Sequence, residues 1–118
     1  MSYIKHTAVI VTGSEESLKL ARRRAVKEYK AVDGANLIGK LMVGMINGHC
    51  SFAIVPDGGK EGSTRSNDSD SARKNFLNWL LDKNKEGFKD KENYFHCDFV
   101  EVSFGGWAED TKIESTSH

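Results

Sequence analysis

Two histidine dipeptides carry the residue types most often used in acid–base chemistry. His49-Cys50-Ser51-Phe52 fits the H-x-[S/T]-x pattern of phosphoesterases that use two such motifs. Its would-be partner, His96-Cys97-Asp98-Phe99, has aspartate in place of the hydroxyl residue. These enzymes place one imidazole as general base and another as general acid on opposite sides of the phosphate. Because the second motif lacks its phosphate-binding hydroxyl, we favour ordinary strand histidines and predict no catalytic residue.

The same dipeptides contain the nitrogen and sulfur ligands that zinc prefers. Adjacent residues of a strand point to opposite faces of the sheet, so at most one residue of each pair could converge on an ion. Two ligands are too few for a zinc site. We therefore predict no metal and no other cofactor.

A polar stretch at residues 47–71 is the other candidate for chemistry. Its second half, from Pro56-Asp57-Gly58-Gly59 onward, combines glycines and hydroxyl residues with Lys60 and Arg65. The spacing does not match a P-loop. Backbone N–H groups of such a loop can still bind an anion, and the N-terminus of the helix that follows favours negative charge. The equal alternative is a surface loop with no ligand.

Composition limits the class of protein. The chain has 118 residues, with 17 basic and 17 acidic side chains. This length predicts a single domain over residues 1–118, of which about 109–118 look like a frayed tail. The balanced charge gives no general attraction to DNA, RNA or a membrane surface. No apolar run approaches the roughly 18 residues of a membrane helix, and we expect a cytoplasmic protein.

Hydrophobic periodicity predicts the element order strand, helix, strand, strand, helix, strand. The strands are expected near residues 3–12, 37–46, 49–55 and 94–104. The second and third are joined by Asn47-Gly48 as a two-residue hairpin turn. This order predicts an α+β fold, a ferredoxin-like two-layer sandwich with two helices on one face of a four-stranded antiparallel sheet.

The helices are expected from a cap at Ser14 to about residue 32, and after caps at Asp68, Asp70 and Ser71. A charged connection follows the second helix at residues 83–93. The predicted core combines apolar residues of the first and last strands with the apolar stripes of the helices: Ala8, Ile10, Leu18, Ala25, Tyr29, Phe76, Leu80, Val100 and Val102.

In the predicted sheet the first strand lies between the third and the fourth. Cys50 and Cys97 would then lie on strands separated by another strand, roughly 9–10 Å apart. This separation is beyond the reach of a disulfide. We predict two free thiols.

Several motifs resemble a broad family of small bacteriophage proteins. The shared strand pattern is His6-Thr7-Ala8-Val9-Ile10-Val11-Thr12. The most specific part is Pro56-Asp57-Gly58-Gly59-Lys60-Glu61-Gly62, preceded by Asn47-Gly48 and Ser51-Phe52. The closing pattern V-E-V-x-[FY]-G corresponds to Val100-Glu101-Val102-Ser103-Phe104-Gly105. The resemblance covers most of the chain.

This family is identified as one of nucleotide sponges, which bind the cyclic dinucleotides made by the CBASS defence and keep them from their effectors. The resemblance implies a homo-oligomer, a dimer or tetramer, that sequesters 3′,3′-cyclic GMP–AMP or a similar signal in the host cytoplasm without chemical change. The family pattern often has tryptophan where this chain has Ser63. If that ring packs on the ligand, the ligand preference of this chain differs.

A cyclic dinucleotide has two phosphates and two flat bases, which call for basic side chains, hydroxyl donors and aromatic rings. Carboxylates could read the N–H edge of a guanine. The candidates are Lys60, Arg65, Ser63, Thr64 and Ser66 for the phosphates, Trp107, Tyr94 and Phe52 for the bases, and Asp57, Glu61 and Asp68 for the guanine edge.

Two other functions stay open on the sequence. The chain could be a phage protein that inhibits a host protein by binding it through the same loop and sheet. It could also be a divergent phosphoesterase. Identifying any nucleotide released from the purified protein on denaturation would discriminate among the three functions.

Overall fold

Two long helices cover one face of an antiparallel sheet, which has five strands in the part of the chain that the structure describes. The computed structural model describes residues 4–59, 63–89, 94–106 and 111–118. The strands are β1 (His6–Ser14), β2 (Met42–Val43), β3 (His49–Ile54), β4 (Cys97–Phe104) and β5 (Lys112–Thr116). The helices are α1 (Glu15–Lys30) and α2 (Thr64–Lys89), with a 3-10 turn at Ala35–Leu37.

The strand order is β2-β3-β1-β4-β5, which places β1 in the centre as predicted. The first four strands follow the predicted order, but β5 pairs with the free edge of β4, where the sequence suggested a frayed tail. Ser117 N–H donates to the carbonyl oxygen of Phe99 at 3.1 Å, just beyond the strand. The polar sequence of β5 has little strand character of its own. An available sheet edge therefore decides its conformation.

The core lies between the helices and one face of the sheet. Five predicted core residues are confirmed as buried there: Leu18, Ala25, Tyr29, Phe76 and Leu80. Ser14 caps α1 as predicted, because its hydroxyl accepts a hydrogen bond from the N–H of Ser17 at 3.3 Å. Among the described residues, no helix is long and apolar enough to cross a membrane.

The prediction chose the wrong face of β1 and β4. Val9 and Val11 are fully buried, whereas Ile10 is 49% exposed. Four predicted core residues lie on this outward face and are only partly buried or exposed: Ala8, Ile10, Val100 and Val102. Because β1 is apolar on both faces, alternation in its sequence could not identify the buried one. An offset of one residue exchanges the two faces of a strand completely.

Helix α2 is longer at both ends than predicted. It begins at Thr64, and Ser63 is its N-cap: the Ser63 hydroxyl accepts a hydrogen bond from the N–H of Ser66 at 3.3 Å. Asp68 and Asp70 are therefore inside the helix rather than caps. The helix continues to Lys89, through most of the predicted charged connection. Tertiary packing outweighs the low helix propensity of its first turns.

The hairpin between β2 and β3 is also different from the predicted one. Asn47 and Gly48 both have the expected positive φ, at 63° and 65°. However, Gly44 N–H donates to the carbonyl oxygen of His49 at 2.7 Å, so the connection has four residues rather than two. The strand before it is only Met42–Val43, much shorter than the predicted 37–46.

The two cysteines lie on either side of Gly13 in β1, as the predicted strand order requires. Cys50 and Cys97 are each paired with Gly13 across the sheet, and both are buried and free. The prediction of two free thiols is confirmed. Burial, together with the negative charge of Asp98, raises the pKa of the Cys97 thiol to about 12. This thiol is therefore a poor nucleophile at neutral pH.

Candidate functional site

The inward face of the sheet changes from apolar to polar along β4. Phe99 is buried in the core, whereas the next two inward positions hold Glu101 and Ser103. Across β1, Ser103 is paired with Thr7. Because inward positions recur every second residue, these three polar side chains lie on the same face as the core.

This polar end of the inward face forms the floor of a cleft of about 240 Å³ under the first turns of α2. The cleft combines four acidic side chains with three basic ones and with hydroxyl groups. Its lining residues are Lys5, Thr7, Asp57, Ser66, Asp70, Arg73, Lys74, Glu101, Ser103 and Glu114.

Arg73 joins α2 to the floor of the cleft. Its Nε donates to Oε2 of Glu101 at 2.6 Å, and its Nη2 donates to Oδ1 of Asp70 at 2.7 Å. The side chains of Arg73 and Glu101 are only 13% and 14% exposed. Burial by itself lowers the pKa of Arg73, but the two carboxylates outweigh it and the net pKa is raised. The guanidinium therefore stays charged, and it is held in one orientation.

Strand β5 closes the outer side of the cleft through its own polar side chains. Ser103 Oγ donates to Oε1 of Glu114 at 2.8 Å, and Ser115 Oγ donates to Oε1 of Glu101 at 3.0 Å. Every fully buried side-chain nitrogen or oxygen in the described part of the chain has a hydrogen-bond partner. The floor is therefore a satisfied polar network, and it is rigid for that reason.

A second cavity, of about 140 Å³, shares the Asp57–Ser66 wall with the cleft. Its other lining residues include Gly34, Asn36 and Arg65. Asp57 forms this wall because its carboxylate accepts hydrogen bonds from the N–H of Gly59 at 2.8 Å and from Ser66 Oγ at 3.2 Å. The segment after β3 and the start of α2 are held together at this point.

Three of the predicted ligand-binding residues meet at this wall: Asp57, Arg65 and Ser66. Arg65 is exposed, and its Nη2 donates to the carbonyl oxygen of Asp33 at 3.3 Å. Ser63 and Thr64 are exposed at the beginning of α2, where Ser63 serves as the cap. Lys60, Glu61 and Trp107 lie outside the described residues.

Three other candidates occupy positions away from the cavities. Phe52 is 2% exposed and its ring centroid is 6.3 Å from that of Phe76, so a base cannot reach it in this structure. Tyr94 is exposed but precedes the opposite end of β4. Asp68 is exposed on α2 and lines neither cavity.

The residues that the sequence analysis missed are those of the cleft floor. Glu101 and Ser103 follow Phe99 at intervals of two, which is the spacing of one strand face. A carboxylate on the buried face of a strand next to the central one is an unusual choice, because burying a charge is costly unless it is paired. This signal was hidden because the wrong face of β4 was assigned to the core.

Both histidine dipeptides lie beside the C-terminal end of β1, where β4 begins. The cleft is at the other end of the sheet, where β4 ends. His49 is paired with Ser14, and His96 Nε2 lies 2.8 Å from Oδ1 of Asp98. His118 Nε2 lies 3.4 Å from the same oxygen. The hydrogen bond with His96, and the smaller effect of His118, hold the pKa of Asp98 below its ordinary value of 3.8.

Metal ligation is disfavoured by the position of these side chains. Cys50 and Cys97 point into the core while His49 is exposed, so the members of a dipeptide do not converge. Within the described residues there is no group of three or more histidine, cysteine, aspartate or glutamate side chains that could hold a metal ion.

Comparison with known proteins gives no relative: the chain matches no protein-family model, no curated protein and no solved structure. The resemblance to the phage family therefore depends on the sequence motifs alone.

Proposed function

We propose that this chain binds a cyclic dinucleotide, 3′,3′-cyclic GMP–AMP or a similar signal, and sequesters it without chemical change. In this proposal it is a phage protein that evades the CBASS defence in the host cytoplasm. The observation that carries the proposal is the position of Pro56-Asp57-Gly58-Gly59, from the most specific family-like motif. Asp57 and Gly59 line the second cavity, and Asp57 also lines the cleft.

The size and polarity of the two cavities support a ligand with several polar groups. The volumes of about 240 and 140 Å³ together lie in the lower part of the range of small-molecule sites. A cleft with acidic as well as basic side chains suits a ligand that offers N–H donors in addition to phosphates. The Watson–Crick edge of guanine offers such donors, and the phosphodiester groups supply the negative charge.

The proposed roles follow from exposure and charge. Arg65 and Lys74 are exposed basic residues beside the two cavities, and they are assigned to the phosphates together with Lys60. Ser66 is assigned a hydroxyl contact. Asp57 is assigned the guanine N–H edge, and it also positions the start of α2 through Ser66.

The proposal includes assembly into a dimer or tetramer. The two cavities together are small for a cyclic dinucleotide, and good sites bury most of the surface of their ligand. A second copy of the chain would supply the missing walls. We also propose that the sandwich is a ferredoxin-like one to which β5 has been added.

The test separates binding from catalysis. The protein is incubated with 3′,3′-cyclic GMP–AMP, free ligand is removed, the complex is denatured by heat, and the supernatant is analysed by chromatography. Intact ligand recovered in proportion to protein supports a sponge. Linear dinucleotide would instead show a phosphodiesterase, with His49 and His96 as its candidate acid and base.

Two variants test the site. Arg65→Ala and Lys60→Ala should each weaken binding by about 1.5–3 kcal/mol, because each removes a charge-assisted contact to a phosphate. Arg23→Ala is the matched control, since Arg23 is an exposed arginine on α1 that lines neither cavity. Equal affinities for Arg65→Ala and Arg23→Ala would remove the second cavity from the site.

Inhibition of a host protein is the second candidate, and the β2–β3 hairpin favours it. Met45 is fully exposed and Ile46 is 72% exposed at the hairpin tip. Exposed apolar side chains at such a tip are typical of protein-binding surfaces. If the protein retains no nucleotide from a panel of cyclic signals, this candidate takes the place of the sponge.

A further inference from the structure

A groove of about 360 Å³ lies between α1 and the residues just before β2. Its lining residues are Lys19, Arg22, Arg23, Val26 and Leu41. Val26 and Leu41 are half-buried, so the groove combines an apolar part with three basic side chains. We call these five residues the basic groove. It shares no lining residue with the cleft or the second cavity.

The two arginines of the basic groove are not neutralised within the described part of the chain. Arg24, the next residue of α1, pairs with Glu28 at 2.9 Å. Arg22 and Arg23 have no carboxylate partner among the described residues. Arg22 is nevertheless oriented, because its Nε donates to the carbonyl oxygen of Gly39 at 2.9 Å. Its two Nη groups remain available to bind a carboxylate through parallel hydrogen bonds.

The residues that border the basic groove are also an edge of the sheet. β2 is the first strand in the order, and its outer side pairs with no strand in the described part of the chain. Pairing with β3 begins before β2, since Gly39 N–H donates to the carbonyl oxygen of Ala53 at 2.8 Å. Residues 38–43 therefore form one extended edge, which we call the β2 edge. A further strand can add to such an edge through backbone hydrogen bonds.

The charge of the β2 edge selects the kind of strand. Its single charged residue is Lys40, which is exposed and has no carboxylate partner among the described residues. Together with Arg22 and Arg23, Lys40 makes this side of the molecule basic. An acidic strand is therefore favoured over a basic one.

The faces of the β2 edge predict the sequence pattern of that strand. Val43 is paired with the buried Cys50, so it points to the helix side, as Leu41 does two residues earlier. Met42, between them, points to the other side and is 67% exposed. An added strand continues this alternation, with one set of side chains at the basic groove and the other beside Met42. The complementary sequence therefore alternates acidic and apolar residues.

The open form of the groove favours a protein segment over other ligands. One helix and one strand segment supply its lining, so a small molecule would leave much of its surface in water, whereas good sites bury most of it. A membrane surface would call for aromatic anchors, and residues 38–49 have no tryptophan or tyrosine. Neither a lipid nor a nucleic acid can add a strand to the β2 edge.

We infer that the basic groove and the β2 edge bind an extended acidic segment of a partner protein by strand addition. Carboxylates of the segment bind Arg22 and Arg23, and its apolar residues pack beside Met42. The inference supplies the chemistry of the partner in the second candidate function. It does not depend on nucleotide binding, because the two sites share no lining residue.

The experiment uses a fluorescent peptide of alternating glutamate and valine, about eight residues long to span the β2 edge, and measures its anisotropy with the full chain. It should bind with a dissociation constant below about 1 mM, and a lysine–valine peptide should not bind. Arg22→Gln keeps a donor for Gly39 but removes the charge, and it should weaken binding about tenfold. Lys27→Gln, at an exposed basic residue of α1 outside the groove, is the control and should bind as wild type does.

Backbone methylation of the peptide tests strand addition. Successive N–H groups of an extended strand point to opposite sides, so methylating all glutamates or all valines blocks one side at a time. One of the two methylated peptides should lose binding and the other should keep it. Equal binding of both would overturn the inference, because the β2 edge would not be used.

Four other results would overturn the inference: no binding of the glutamate–valine peptide up to about 1 mM, equal binding of the lysine–valine peptide, unchanged affinity of Arg22→Gln, or tighter binding to phosphatidylserine vesicles than to the peptide. Circular dichroism verifies that the variants are folded. Arg23→Ala should weaken peptide binding and leave nucleotide retention unchanged, whereas Arg65→Ala should do the reverse. Failure of this inference is therefore distinguishable from failure of the nucleotide proposal.

Discussion

The space between α2 and the sheet is apolar at one end and polar at the other, although the same helix and the same strand supply both. At the apolar end, Phe76 packs against Phe52 of β3, and Phe99 of β4 is buried in the same core. One turn earlier in the helix and two residues later in the strand, Arg73 pairs with Glu101. The apolar end contributes stability through burial, whereas the polar end holds an open cleft between paired charges.

One polar side chain interrupts the apolar end. Asn84 is buried, its Nδ2 donates to the carbonyl oxygen of Cys97, and its Oδ1 accepts from the N–H of Cys97, both at 2.9 Å. This amide satisfies the first residue of β4. The comparison teaches that polarity alone does not mark a functional site, because Asn84 has both amide atoms bonded to Cys97 and lines neither cavity, whereas Arg73 lines the cleft.

The largest loss of stability should come from substitutions of buried residues at the apolar end. Phe76→Ala removes a fully buried ring and should reduce the free energy of unfolding by about 3–5 kcal/mol. Leu80→Ala should cost about 2–5 kcal/mol for the same reason. Chemical denaturation measures both. Phe104→Ala, at the 40% exposed last residue of β4, is the control, and a loss as large as that of Phe76→Ala would contradict the described packing.

Removing the cation of the Arg73–Glu101 pair, at the polar end, should reduce the free energy of unfolding slightly less. Arg73→Met leaves Glu101 without its cation and should reduce the free energy of unfolding by about 3 kcal/mol. The double variant Arg73→Met/Glu101→Leu removes both charges and should regain at least half of the loss. A double variant as unstable as Arg73→Met would show that the pair is not the cause.

A smaller difference in stability is expected between the loss of one hydrogen-bonding side chain at the apolar end and the loss of one at the polar end. Asn84→Leu should cost about 2 kcal/mol, because two buried backbone groups of Cys97 lose a partner. Ser103→Ala should cost about 1 kcal/mol, because Glu114 is partly exposed and can bind water instead. Thermal unfolding of both variants decides the order, and a larger loss for Ser103→Ala would reverse the comparison.

The smallest effect on stability should come from Asp98, near the N-terminal end of β4. The pKa of Asp98 is lowered in the folded chain, chiefly by the hydrogen bond with His96. A lowered pKa means that the stabilisation is present above the unfolded pKa of about 3.8 and is lost as the pH falls through the folded value. The Asp98 side chain is 59% exposed, so solvent screens the effect.

Asp98→Asn should therefore lower the melting temperature slightly at pH 5 to 6, and the difference from wild type should shrink as the pH falls below about 3.8. A difference that grows as the pH falls below about 3.8 would have the wrong sign for this carboxylate.

Part of the candidate site was accessible from the sequence. Asp57, Arg65 and Ser66 were chosen for their chemistry and their closeness to a helix start, and they line the second cavity. The floor of the cleft was not found, because its residues come from β4, β5 and the middle of α2. Phe52 was a plausible aromatic face by type, but its position in β3 turns it into the core.

Local chemistry in the sequence determined the order of the first six elements, the cap at Ser14, the positive φ of Asn47 and Gly48, and two free thiols. Each of these depends on neighbouring residues or on the strand order that their pattern implies. Only the tertiary structure decided which face of β1 is buried, where α2 begins, and that the residues near the C-terminus form β5. The physical reason is common to all three. Their local sequences are compatible with two conformations or orientations, and contacts with distant residues select one of them.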